Sequence, residues 1–185
     1  MVVGIDEVGR GAWAGPLVVG AVCLNTNHTI SGLTDSKLLT KKSRDALAEL
    51  IYTQAAVGLG FVSPAEVDDL GLTLATTLAC KRALQEIKVP YSKIIIDGSI
   101  NYLSDEPRAT AMIKADLHIP AVSAASIVAK AARDRYMQFL AKTHPAFGFD
   151  KHVGYGTAAH MLALTKYGAT PFHRHSFKPI KALQA

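Results

Sequence analysis

The stretch 4-GIDEVGRGAWAGP-16 begins as an apolar run, ends that run with two carboxylates, Asp6 and Glu7, and then sets Arg10 between Gly9 and Gly11. Charged groups directly after an apolar strand must reach solvent or a partner, because an unpaired buried carboxylate is costly. Glycines on either side of an arginine let the backbone N–H groups of a turn approach a ligand closely. A second β-branched run, 17-LVVGAVCL-24, follows at once. Residues 2–6 and 17–24 therefore read as an antiparallel strand pair joined by a glycine-rich turn.

Working outward, residues 40–54 have helical composition behind a Thr40 cap, and 56–62 reads as a third strand. Ser63-Pro64-Ala65-Glu66 has capping-box spacing with proline at the first helical position, predicting a short helix there and a longer one after Gly71 to about residue 87. The run KIIID, 93–97, reads as a buried strand and 109–114 as another. The longest helix is expected over 122–142, stopped by His144-Pro145, and a glycine-rich loop, 147-FGFDKHVGYGT-157, leads into a last helix over 158–167. Strands gathered early among helices indicate an α/β domain with a mixed sheet, not a regular doubly wound fold.

Three of the expected strands bring acids to their ends. Asp6-Glu7 closes the first, Asp97 closes the isoleucine run before Gly98, and Asp116 lies just past 109–114 in 113-IKADLHIP-120. Acids gathered at neighbouring strand ends repel one another unless cations neutralise them, and hard oxygen donors suit Mg²⁺ or Mn²⁺ rather than zinc. Two such ions can activate water and stabilise a leaving oxygen in phosphodiester hydrolysis. Taken one at a time, each acid reads more readily as a turn or cap residue, and it is the recurrence at three strand ends that weakens that reading. Successive strand side chains point to opposite faces, so Asp6 and Glu7 cannot serve one centre from regular β structure. Either a bulge or bend at Glu7 or its main-chain carbonyl is expected to resolve this.

Other residues suggest a nucleic-acid surface. Residues 141–185 carry Lys142, Lys151, Lys166, Arg174, Lys178 and Lys181 against Asp150 alone, and so hold the whole net charge of +5, with five of the seven histidines. A one-sided basic segment suits a polyanion, though it also suits a merely soluble surface. Ser123, Ser126, Lys130 and Arg133 follow helical spacing as one polar ridge, opposite Ala124, Val128, Ala132 and Phe139, and would let a phosphate backbone approach. Lys37, after Asp35-Ser36, reads as a phosphate contact or a loop charge. Tyr155, between Gly154 and Gly156, can stack on a base or sugar. The turn at Gly9-Arg10-Gly11 could test for a 2′-hydroxyl. His173 and His175 have no matching Cys/His set and read as surface or phosphate-facing.

Together these stretches resemble the ribonuclease HII family. The family pattern G-I-D-E-x-G-R-G-x-x-A-G-P is matched at residues 4–16, D-S-K at 35–37 and the strand ending D-G at Asp97-Gly98. The run from Lys114 through A-A-S-I-V-A-K-x-x-R-D-R to Arg135, G-Y-G-T at 154–157 and H-R-x-S-F at 173–177 follow in order. The resemblance implies an RNase H-like fold, a five-stranded mixed sheet flanked by helices. It implies cleavage of RNA in RNA–DNA hybrids and at single ribonucleotides in duplex DNA, leaving 3′-hydroxyl and 5′-phosphate ends. Asp6, Glu7, Asp97 and Asp116 would hold two Mn²⁺ or Mg²⁺ ions, Gly9, Arg10 and Gly11 would read the 2′-hydroxyl, and Tyr155 would pack at the DNA–RNA junction. Trp13, Val8, Ala115 and Val153 depart from the usual pattern without touching an expected ligand. A ribonuclease HIII-like enzyme and a non-catalytic hybrid-binding module are the alternatives.

At 185 residues, 49% hydrophobic and 19% charged, one globular domain is expected, with a basic helical segment from about 141. No apolar run reaches the roughly 18 residues of a membrane span. Cys23 and Cys80, distant and in apolar surroundings, read as buried free thiols suited to a reducing compartment. A cytoplasmic monomer is the expectation.

Overall fold

The computed structural model describes residues 1–25, 30–33, 36 and 39–183. Lys37 and Asp35 fall outside the described residues, and with them the phosphate contact expected of Lys37. Strand β1 (Val2–Val8) pairs antiparallel with β2 (Leu17–Leu24), and β2 pairs antiparallel with β3 (Ala55–Val62). On its other side β1 runs parallel to β4 (Lys93–Asp97), which runs parallel to β5 (Ala109–Met112). The order β3-β2-β1-β4-β5 makes a five-stranded mixed sheet with β1 at its centre.

Helices cover both faces. On one side α2 (Pro64–Gln85) packs Ala75, Ala79, Cys80 and Ala83 against Val3, Ile5, Val19, Ala21, Ile94 and Ile96. On the other, α1 (Lys41–Gln54) and α3 (Pro120–Thr143) pack Ala48, Ile51, Ala124, Ile127 and Val128 around Val22. Small residues set the spacing of α3: a Cβ at Gly4 would lie 2.2 Å from the Ala121 backbone, and one at Gly20 would lie 2.5 Å from the Ala125 carbonyl oxygen. The helix thus rests directly on the sheet, on the face from which Asp6 projects.

The capping signals act as read. Thr40 accepts from Ser43 N at the start of α1, and the Ser63–Glu66 box is reciprocal, Ser63 N donating to the Glu66 carboxylate at 2.8 Å. The two helices expected around Gly71 are both present within α2, separated at Gly71, whose φ 72° and ψ 162° are not helical. Short elements escape the periodicity: a 3-10 turn at Ala115–Leu117, another at Pro145–Phe147, α4 (Phe149–His152) and α6 (Lys178–Lys181), which flank α5 (Ala158–Tyr167). Cys23 and Cys80 are free and buried, and burial pushes the Cys80 thiol up to about 12. Among the described residues no helix is long and apolar enough to cross a membrane.

Candidate active site

The sheet places the expected acids at one end of its centre. Ile5 sits beside Ile96 in the parallel β1–β4 ladder, so Asp6 and Asp97 follow on adjacent strands. Both belong to the α3 face, as Gly4 and Ile95 do two residues earlier. Directly across from Asp6 on β2 stands Gly20, and the close approach of α3 sets the Ser126 hydroxyl near enough to the Asp6 carboxylate to favour its charged form. Asp97 Oδ1 accepts from Ala115 N at 2.7 Å, which ties the end of β4 to the turn carrying Asp116. Ser123 of α3 in turn donates to the Asp116 carbonyl oxygen, and Asp116 is buried.

Glu7 is the exception. The β1–β2 register runs unbroken from Val3↔Cys23 to Val8↔Val18, so the bulge expected at Glu7 is not there. Alternation therefore sends the Glu7 side chain to the α2 face, where its charge raises the pKa of Cys80 and of Tyr102. What links the two residues is Glu7 N, which donates to Asp6 Oδ1 at 2.8 Å. Among the described residues no three His, Cys, Asp or Glu side chains stand ready at metal-holding spacing.

The chemistry of the donors nevertheless fits a hard divalent cation. All are oxygen donors, and burial pushes the Asp6 carboxyl up to about 7, with the charges of Glu7 and Asp97 adding to the rise and Ser126 opposing it. An acid held in that state ionises at little cost once positive charge arrives beside it.

Beyond β1 the chain enters the glycine–arginine turn. Gly9 takes φ 82°, and a Cβ there would meet the Arg133 side chain at 2.1 Å, so this position requires glycine on two counts. Gly11 is open, with nothing within 4 Å of a Cβ. Two buried arginines brace the turn from beneath. Arg133 donates from Nε to Pro16 O, from Nη1 to Val153 O and from Nη2 to Ala14 O, at 2.9, 2.8 and 3.1 Å. Arg174 donates from Nη1 to Arg10 O at 2.8 Å and from Nη2 to Gly15 O at 3.0 Å. Burial, together with the nearby Arg133 charge, lowers the Arg174 pKa to about 10. Arg10 itself lies over Tyr102 at 5.6 Å.

The loop carrying Tyr155 docks on the same turn. Trp13 N and Ala14 N both donate to Gly154 O, at 2.8 and 3.2 Å. Gly156 lies flat against the Trp13 indole, whose atoms would be 2.1 Å from a Cβ there, which gives the unusual tryptophan its place. Tyr155 is exposed, its ring 5.6 Å from the Arg133 guanidinium. The Gly9-Arg10-Gly11 turn and Tyr155 thus belong to one surface, next to the end of β1.

The polar ridge expected on α3 is not a solvated one. Arg133 is fully buried, and its donors are turned to carbonyls instead of phosphate. Ser126 is buried between Asp6 and Ser36, whose hydroxyl lies 2.8 Å away. Lys130 donates to Asp134 at 2.6 Å, and Asp134 also accepts from Arg44 at 3.0 Å. Phe139, placed by spacing on the apolar side opposite that ridge, is 64% exposed. Helical spacing sorts residues into faces, but this face is covered by the end of β1, Ser36, the first turn and Val153.

His173 is likewise buried, packed near Phe147 and Phe149, not on the surface. Arg174, read in sequence only as one of the basic C-terminal charges, and His160 are both buried beside the turn and the Tyr155 loop. The closing H-R-x-S-F stretch contains Arg174 but does not say that it is buried, and His160 lies outside every motif read in the sequence.

The whole of residues 3–180 matches the family model described as Ribonuclease HII. A Ribonuclease HII of Neisseria meningitidis serogroup C is 47% identical over 184 residues, covering 98% of this chain and 94% of the relative. The ribonuclease H2 of Pyrococcus horikoshii OT3 superposes with a TM-score of 0.83 at 27% identity, covering 99% of this chain and 96% of that one. Bst-RNase HIII, solved in complex with Mn²⁺, shares the fold with a TM-score of 0.77 at 22% identity, covering 99% of this chain and 68% of that one. The family model over residues 3–180 and a relative 47% identical over nearly the full length of both chains show it together: the chain belongs to the ribonuclease HII family.

Proposed function

We propose that this protein is a divalent-metal-dependent endoribonuclease that cuts the RNA strand of RNA–DNA hybrids and the 5′ side of single ribonucleotides in duplex DNA. The observation that carries the reading is the side-by-side placement of Asp6 and Asp97 at the strand end from which the Gly9-Arg10-Gly11 turn departs. Carboxylates and a sugar-reading turn are thereby within one substrate's reach.

Asp6, Asp97 and Asp116 would hold the cations by their carboxylates. Glu7, whose carboxylate faces α2, would contribute its main-chain carbonyl. Two bound Mn²⁺ or Mg²⁺ ions would supply Lewis acidity for in-line hydrolysis. Ser126 favours the charged form of the Asp6 carboxylate, and the Ala115 N–H holds the Asp97 carboxylate in place. Gly9, Arg10 and Gly11 present main chain to the 2′-hydroxyl, which separates RNA from DNA at one nucleotide. Tyr155 stacks at the junction sugar or base. Water adds to the phosphorus, the bond to the upstream 3′-oxygen breaks, and the ribonucleotide keeps the 5′-phosphate. Arg133 supports the turn and is not assigned to phosphate.

Residues 1–185 would act as one catalytic domain and as a monomer in the cytoplasm, where the free thiols Cys23 and Cys80 are at home. The test is end-mapping on labelled duplexes containing one or several ribonucleotides, with Mg²⁺, Mn²⁺ or chelator. Metal-dependent cutting on the 5′ side of the lone ribonucleotide is expected. Cutting of multi-ribonucleotide duplexes alone would remove the single-sugar reading, and no cutting of either would favour a binding module.

A further inference from the structure

The C-terminal segment reaches both halves of the candidate substrate surface through two consecutive residues, His173 and Arg174. Arg174 holds the Arg10 carbonyl. His173 reaches Tyr155 through His160, by hydrogen bonds whose direction is fixed by chemistry. His160 Nδ1 lies 3.0 Å from the Tyr155 carbonyl oxygen, which can only accept, so Nδ1 carries the proton. His160 Nε2 is then a bare acceptor, and the 3.1 Å contact to His173 Nε2 requires the proton to sit on His173. His173 Nδ1, left without a proton, accepts from Thr170 N at 2.9 Å. The chain runs one way, from the Thr170 amide through two neutral imidazoles to the Tyr155 carbonyl.

The surroundings keep it neutral. Both rings are fully buried, and burial pushes each down to about 4. His152 stacks on His160 at 4.5 Å, donating to no acid, and its ring is engaged by Phe147 O and Gly154 N. The loop so gripped contains Val153 at φ 43°, a left-handed conformation that a β-branched residue holds only when its neighbours impose it. Arg133 fixes that residue's carbonyl, and His160 fixes the carbonyl two residues on.

We propose that His160, driven by His173-Arg174, is a positioning residue that sets Tyr155 relative to the Gly9-Arg10-Gly11 turn, acting through the Tyr155 carbonyl. The proposal rests on the reading of Tyr155 and the turn as substrate contacts. Its specific content is that one donor, the His160 Nδ1–H, carries the coupling.

Asparagine places an amide nitrogen near the Nδ1 position, and glutamine places its terminal group near Nε2. His160→Asn therefore keeps the donor to Tyr155, whereas His160→Gln keeps only the contact with His173. The experiment measures kcat and KM on a duplex with one ribonucleotide for the wild type, both His160 variants, Tyr155→Ala and the Tyr155→Ala/His160→Gln double variant, with melting temperatures alongside. His160→Gln is expected to lower kcat/KM roughly ten- to a hundredfold, as misplaced positioning groups do. His160→Asn should recover most of that loss, and His160→Gln should cost nothing further once Tyr155 is alanine. Equal losses for Asn and Gln, or losses that multiply in the double variant, would overturn the proposal, since general misfolding multiplies in either background. Tyr155→Ala impaired with His160→Gln intact would defeat the positioning role alone, whereas Tyr155→Ala without effect would remove the Tyr155 reading and the proposal with it.

Discussion

Asp6 concentrates the electrostatic cost of the site in one carboxyl. Its folded pKa, about 7, stands above the ordinary value of 3.8, so the folded protein binds a proton that the unfolded chain releases between those limits. Stability therefore falls as pH rises from about 4 to about 7, and above 7 the full cost of the buried charge remains. Asp6→Asn should raise the stability of the metal-free protein at pH 8 by a few kcal/mol, on the order set by a shift of several pKa units, and change little at pH 4. Urea melts at both pH values check this. Glu7 belongs to the opposite face, so Glu7→Gln should retain more cleavage than Asp97→Asn, and single-turnover rates would rank them. The acids were legible in sequence as a set, because acidic residues at three strand ends repel unless a cation joins them, and Asp97 follows three isoleucines. Arg133 and Arg174 were not, because nothing in local spacing tells a cation that caps carbonyls indoors from one that meets phosphate.

At the scale of elements, the site depends on how closely α3 lies on β1 and β2. Gly20 faces Asp6, and α3 crosses so near that a methyl group at Gly20 would strike the Ala125 carbonyl. Gly20→Ala should push the helix outward, carry Ser126 away from Asp6 and cost about 1–3 kcal/mol in overpacking. A lower urea midpoint with a reduced cleavage rate is expected. α3 is also pinned to α1 by Asp134, which joins Arg44 and Lys130 in a buried network. Alternation along β1 was readable from residues, and it foretold that Asp6 and Glu7 would part. The bulge offered to reunite them was not needed, because the unbroken β1–β2 ladder leaves Glu7 among Cys80 and Tyr102.

Over the whole molecule, the basic C-terminal segment divides into two populations. Arg174 is buried and structural, while Lys142, Lys151, Lys166, Lys178 and Lys181 are exposed. Lys178→Ala with Lys181→Ala should flatten the dependence of hybrid binding on log salt by up to about two units, since each phosphate contact contributes roughly 0.9. An unchanged slope would place α6 away from the backbone of the substrate. Sheet membership, the capped helices and the long α3 were legible because period and caps act locally. The packing of residues 145–183 over the first turn was not, because it is built from short helices and backbone contacts that no hydrophobic period announces.

The central claim is that the aspartates on the α3 face hold the cation that cleavage requires. Calorimetric titration of Mn²⁺ into the wild type and Asp97→Asn, paired with cleavage of a single-ribonucleotide duplex at each metal concentration, tests it most directly. Binding to the wild type should release protons near pH 7 as Asp6 ionises, and cleavage should rise along the same curve. Asp97→Asn should lose both while keeping its melting temperature. Undiminished binding and cutting by Asp97→Asn would contradict the account.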